Sequence, residues 1–157
     1  MTIYTSLDSI IDVLRLENQD FRITTQRRII IKAILEMNGH FSAEEIIHKI
    51  SILYPDLTGI SKGTIYGTLD FLVKNRILTL IQGRSFKDEN GGYYARSYYD
   101  RRIDPHINML CVSCGRIEDL DEIPLDNMLK ELNLNKSWEL VQQTIGLQGI
   151  CEQCNQK

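Results

Sequence analysis

The chain has 157 residues, 43% of them hydrophobic, and a formal charge of −3. That is one large domain or two small ones with enough apolar residues for a core, and no apolar run approaches the ~20 residues that cross a bilayer. Residues 1–84 hold ten Lys/Arg against nine Asp/Glu and residues 85–157 hold eight against twelve, so overall charge does not announce a nucleic-acid binder and DNA binding would have to come from locally placed cations.

The opening MTIYTSLDSIIDVL carries acids inside its first apolar stretch and lacks a signal-peptide pattern, so a soluble, cytoplasmic protein is expected. Leu7, Ile10, Ile11 and Leu14 recur at helical spacing, as do Ile30, Ala33, Ile34 and Met37. Ser42-Ala-Glu-Glu45 fits a capping box at the head of a third helix carrying Ile46, Ile47 and Ile50. After the turn-forming stretch 54–59, Ser61 caps a fourth helix. Its inner face is Ile65, Leu69, Leu72 and Val73, and its outer face shows Lys62, Tyr66, Gly67 and Asp70.

Ile77–Gln82 and Tyr93–Tyr99 read as two strands of a hairpin whose long polar tip is GRSFKDENGG. Helices followed by a two-stranded hairpin form a winged helix, in which the last helix enters the major groove and the wing touches phosphate. On that helix Lys62 is placed to reach phosphate, Thr64 phosphate or base, and Tyr66 a thymine methyl. Lys74 and Arg76 fit phosphate contacts too, although each reads better as a solvated side chain. Gly67, costly in a helix interior by about 1 kcal/mol, either lets the DNA backbone come close or has no role.

The chain changes character near Asp104-Pro105. Ile107–Cys111 and Gly115–Asp119 read as strands. Leu125, Met128, Leu129 and Leu132 mark a helix, and Trp138–Leu147 reads as a last strand with Val141, Ile145 and Leu147 on one face. Such a β-β-α-β unit is small enough to need a metal and self-association as supplements.

All four cysteines fall in two Cys-x-x-Cys pairs, Cys111/Cys114 and Cys151/Cys154. Four thiolates complete a closed tetrahedral zinc site that holds shape and does no chemistry. The alternatives are two disulfides, which the lack of an export pattern argues against, and a thioredoxin-like redox pair, which would be single and sit at a helix start.

Arg22-Ile-Thr-Thr-Gln-Arg27, His40-Phe-Ser-Ala-Glu-Glu45, Ser61-Lys-Gly-Thr-Ile-Tyr-Gly-Thr-Leu69 and Cys111-x-x-Cys114-Gly115 with Cys151-x-x-Cys154 occur in the order and spacing of the ferric uptake regulator (Fur) family. The chain resembles that family over about residues 20–155. The resemblance implies an α+β protein: an N-terminal winged helix-turn-helix domain over 1–99 and a small C-terminal α/β dimerisation domain over 100–157, with a hinge at about 100–106. It implies a homodimeric, metal-dependent transcription regulator, a repressor rather than an enzyme, acting on palindromic double-stranded DNA without a membrane.

The family's inter-domain ligands fall on His40, Asp100, His106, position 108 and Asp119, and imply Fe²⁺ or Mn²⁺ there beside the structural Zn²⁺. Position 108, usually histidine, is Asn108, a weak ligand or none. Aspartate at 119 resembles the peroxide-sensing (PerR-like) branch, which implies that His40 and His106 are the residues oxidised. Pro105, Ile107 and Gln143 stand where a further site's ligands would be, so at most two metals per subunit are expected. His48 reads as structural or exposed. Two other functions stay open: a winged-helix regulator with a weakened metal switch, and a thiol oxidoreductase using the Cys-x-x-Cys pairs.

Overall fold

A computed structural model of the chain describes residues 4–17, 22–81, 85–87, 93–121, 125, 127 and 144–156. They fall into two compact units, one within residues 1–80 and 96–103, the other within 81–95 and 104–157.

The first unit is built on four helices: α1 (Leu7–Glu17), α2 (Thr25–Leu35), α3 (Ala43–Leu53) and α4 (Lys62–Lys74). Their starts follow from local chemistry, because a side-chain oxygen outside the first turn takes one of its free amides. Thr24 accepts from the amide of Arg27 and Ser61 from that of Thr64. Ser42 completes the expected capping box, accepting from Glu45 N while the Glu45 carboxylate takes the Ser42 amide. Ile10, Leu14, Ile30, Ile34, Ile46, Leu69 and Leu72 bury their side chains in one core. Val73, expected on the inner face of α4, is only partly buried.

Helix α4 ends without the usual glycine. Arg76 takes φ 55° while its amide donates to Val73 O at 3.0 Å and that of Ile77 to Leu72 O at 2.9 Å. This is the paired hydrogen bonding that closes a helix through a left-handed residue, and buried Ile77 and Leu72 supply the apolar contact that accompanies it.

The expected hairpin is divided. Strand β1 (Phe41–Ser42) pairs with β5 (Tyr98–Asp100) in a sheet ordered β1-β5-β2, where β2 is Thr79–Ile81. Strands β3 (Ser85–Lys87) and β4 (Tyr93–Ala95) form a separate antiparallel pair with Phe86 opposite Tyr94. The run 93–99 thus breaks at Arg96-Ser97, and part of the presumed polar tip is strand. The competing partner is Phe41. It is fully buried and stacked on Tyr99 at 6.1 Å, and it draws the second half of the run toward β1.

In the second unit β6 (His106–Cys111) lies between antiparallel β7 (Ile117–Leu120) and parallel β8 (Thr144–Gly149). A parallel neighbour needs a long connection, and residues 112–143, which include β7, separate the two strands along the chain. Leu125, which is buried, and Asn127 are helical. The rest of the expected helix, and the strand expected from Trp138 as far as residue 143, lie outside the described residues. Gly115 closes the turn between β6 and β7 at φ 78°, donating to Cys111 O at 2.9 Å. No helix among the described residues is long and apolar enough to cross a membrane.

Candidate metal centres and nucleic-acid face

The sheet register brings the cysteine pairs together. Parallel pairing of β6 with β8 ends with Cys111 opposite Gly149, and the amide of Val112 donates to Gly149 O at 2.8 Å. Cys151 therefore arrives beside the Cys111–Cys114 turn, and Cys154 follows on a short helix, Glu152–Asn155. The four sulfurs lie within 4.8 Å of one another, with Cys114 Sγ and Cys151 Sγ 3.7 Å apart. Sulfurs about 2.3 Å from a shared tetrahedral zinc stand about 3.8 Å apart, so the thiols already hold the spacing of a closed zinc site.

The electrostatics suit a cation as well. Amide hydrogen bonds from Cys151 and Cys114 lower the Cys111 thiol to about 6. The amide bond from Cys154 favours the Cys151 thiolate, but burial and the neighbouring sulfurs outweigh it and push that thiol up to about 11. One thiolate forms readily and opposes the next, a conflict that a divalent cation removes.

Two further His–Asp pairs stand in the molecule, one in each unit. In the first, His40 Nε2 faces Asp100 Oδ2 at 3.5 Å, both largely buried, and Asp100 Oδ1 accepts from the amide of Arg102. The pair is held by Arg101. Its guanidinium donates to Leu35 O, Met37 O and Tyr4 O, fastening the end of β5 to the close of α2 just before His40. In the second unit, His106 Nδ1 lies 2.8 Å from the carbonyl of Asp104, and Nε2 faces Asp119 Oδ1 at 3.7 Å. A carbonyl can only accept, so Nδ1 carries the proton and Nε2 is left as a donor of electrons; metal-binding histidines are oriented in this way.

Both His–Asp separations exceed a good hydrogen bond. Two ligands about 2.1 Å from one ion stand about 3.0 to 3.5 Å apart at octahedral to tetrahedral angles; the His40–Asp100 separation of 3.5 Å meets that span and the 3.7 Å of His106–Asp119 lies just above it. The residues present therefore fit a divalent cation. Asn108 lies on β6 opposite Asp119 and is fully buried. Of the positions weighed for a further site, Ile107 is buried and Pro105 is exposed; Gln143 lies outside the described residues. His48 is exposed on α3.

On α4, Lys62 and Gly67 are exposed and Thr64 is half-buried, its hydroxyl 3.0 Å from that of Ser61 at the helix cap. A Cβ built on Gly67 meets nothing within 4 Å, so the fold itself does not need glycine there. Tyr66 is 40% exposed and its hydroxyl donates to Glu44 Oε1 at 3.0 Å. Glu44 was legible only as filler inside a capping box, and Arg101 only as one of several basic residues. Neither had a motif to betray it, because their partners are 22 and more than 60 residues away.

The ferric uptake regulator family model matches residues 18–148. The peroxide-responsive repressor PerR of Staphylococcus saprophyticus is 27% identical over 142 residues, covering 90% of this chain and 88% of the relative. Among solved structures, the Helicobacter pylori ferric uptake regulator Fur, described as having three functional metal binding sites, superposes with a TM-score of 0.72 at 21% identity, covering 100% and 99% of the two chains. The Vibrio cholerae Fur, described for a rearrangement of its DNA-binding domains, gives 0.60 at 21%, covering 89% and 99%. With a family match across most of its length and the same fold, the chain belongs to the ferric uptake regulator family, whose members are metal-responsive transcription regulators.

Proposed function

We propose that this protein is a homodimeric repressor that binds a palindromic operator when a divalent ion occupies a regulatory site, and that peroxide reaching that site releases it. The observation that carries the reading is the pair of His–Asp half-sites. Each sets an imidazole Nε2 against a carboxylate at 3.5 or 3.7 Å.

Cys111, Cys114, Cys151 and Cys154 hold zinc and tie the C-terminal residues to the sheet. His40 and Asp100 of the DNA-binding unit, and His106 and Asp119 of the other, would hold the regulatory ion, with Asn108 on the strand position opposite Asp119. When bound, Fe²⁺ or Mn²⁺ would supply positive charge to both half-sites, and Fe²⁺ would also relay electrons from an imidazole to peroxide. Sharing one ion couples the half-sites. This favours the arrangement whose recognition helices match the operator, to the extent that the ion binds that arrangement better. Lys62 contacts phosphate, Thr64 phosphate or base, Tyr66 a base edge, and Gly67 allows close approach. The relatives named peroxide-responsive repressors support the sensing function, and aspartate at 119 is in keeping with it.

The test is DNA affinity of the zinc-containing protein after mild chelation and after Mn²⁺ is restored, on a duplex selected from a random library. At least tenfold tighter binding with Mn²⁺ is expected. Equal affinity in both states would favour a regulator whose switch has been weakened, for which Asn108 is the specific evidence.

A further inference from the structure

Asn108 sits at the centre of β6, opposite Asp119 on β7 and Gly146 on β8. The two-residue repeat of a strand puts His106, Asn108 and Asp119 on the same face of the sheet. Asn108 has no exposed surface, and among the described residues neither its Oδ1 nor its Nδ2 has a hydrogen-bond partner. Buried amides left without partners are rare and call for a cause. Nothing about the strand demands one here: adjacent Ile107 and nearby Leu110 are buried and apolar, and a leucine has the same count and branching of side-chain heavy atoms as asparagine. Gly146 adds no side chain on its side of Asn108, and a Cβ there would meet nothing within 4 Å, so the face keeps room beside the amide.

Resting on the metal-dependent reading above, we propose that Asn108 is a ligand of the regulatory ion through Oδ1, and that it sets the metal preference of the site toward Mn²⁺ and against Zn²⁺. A carbonyl oxygen is a hard, neutral donor that suits Mn²⁺, whereas imidazole suits zinc, copper and nickel. With an amide in the set, the donors of β6 and β7 are one imidazole nitrogen and two oxygens. An imidazole at 108 would make the set nitrogen-rich and zinc-favouring. The natural affinity order places Mn²⁺ below Zn²⁺ at an N/O site, so a site meant to answer to Mn²⁺ in the presence of zinc gains by weakening its nitrogen donation.

The experiment is competition of Mn²⁺ and Zn²⁺ against a fluorescent chelator on the full-length protein with its cysteine zinc in place, comparing wild type with Asn108→Leu, Asn108→Asp and Asn108→His. Asn108→Leu should weaken Mn²⁺ binding by about tenfold or more, the usual scale for a change at or next to a metal ligand, and should raise the melting temperature of the chelated protein because the unpartnered amide is gone. Asn108→Asp should retain or tighten Mn²⁺. Asn108→His should raise Zn²⁺ affinity by about tenfold or more relative to Mn²⁺, and should add a nitrogen coupling to the electron spin echo of bound Mn²⁺. Wild-type Mn²⁺ affinity in Asn108→Leu, or an unchanged Zn²⁺/Mn²⁺ ratio in Asn108→His, would overturn the role of Asn108 while leaving the metal site standing. A wild-type protein that takes up its one zinc and no second divalent ion would overturn the metal site and this proposal with it.

Discussion

The hydroxyl of Tyr66, on the outer face of α4, donates to the Glu44 carboxylate of α3 at 3.0 Å. The helix that carries the candidate DNA contacts is thereby tied to its neighbour by an acid, at a surface expected to meet phosphates. Burial opposes charge on Glu44, but a backbone hydrogen bond, the Tyr66 hydroxyl and the nearby Arg96 charge outweigh it and hold the carboxyl below its ordinary value. Burial and the bond to Glu44 raise the phenol of Tyr66, which stays protonated and donating at neutral pH.

Tyr66→Ala is expected to erode discrimination between operator and random duplex, while Lys62→Ala weakens both and lowers the slope of affinity against salt by about one. Glu44→Gln removes a negative charge from the same surface and should tighten binding to every duplex, by less than about tenfold for an exposed charge. The sign of the pH effect follows from the lowered carboxyl. Its contribution to stability is present above the ordinary value of 4.5 and is lost as pH falls through its folded value, so Glu44→Gln should flatten the acid limb of the stability profile. Anisotropy titrations at several salt concentrations, with acid melts, test all three. Equal loss on all sequences from Tyr66→Ala would reject base reading.

Gly67 separates stability from binding. Since a Cβ at this position meets nothing in the protein, Gly67→Ala should stabilise α4 by up to about 1 kcal/mol. If DNA comes close to the helix backbone there, the same variant should melt higher and bind operator more weakly. A higher melting temperature with unchanged affinity would leave Gly67 without a role in binding.

Zinc at the four cysteines should be part of the folding free energy of the second unit. Cys114→Ser leaves three sulfurs, and zinc and dimer are expected to disappear together, read by metal analysis and sedimentation of the same sample. Intact dimers containing no zinc would show that the sheet associates without the metal.

Peroxide should mark the histidines of the Fe²⁺-loaded protein. The O–O bond breaks, one oxygen passes to a ring carbon of His40 or His106 and the other leaves as water, two electrons moving from imidazole to peroxide. Mass spectrometry should find one added oxygen on either peptide with Fe²⁺ and none with Mn²⁺, together with release from DNA. Zinc-bound thiolates, held by a redox-inert ion, should be spared. Release with cysteine oxidation and zinc loss alone would move the sensor to the thiolates.

Local chemistry was enough for several elements. Ser42 and Ser61 mark helix starts because a cap is an interaction over three residues. The apolar spacing of Ile10, Leu14, Ile65 and Leu69 announces faces that are indeed buried, and the cysteine spacing announces a four-sulfur cluster that the fold closes to within 4.8 Å. What depended on distant partners was invisible. The hairpin divides because Phe41, more than 50 residues away, claims Tyr99. The parallel placement of β8, which delivers Cys151 to Cys111, rests on a crossover that no short motif encodes. The bonds of Arg101 to three carbonyls and of Tyr66 to Glu44 likewise join residues that only folding brings near. The sequence displayed an asparagine at position 108; its complete burial, with both amide atoms unpartnered among the described residues, is a property of the folded sheet. Periodicity and caps are set by neighbours along the chain, whereas strand choice, ligand convergence and the satisfaction of a buried polar group depend on contacts across it, and those exist only after collapse.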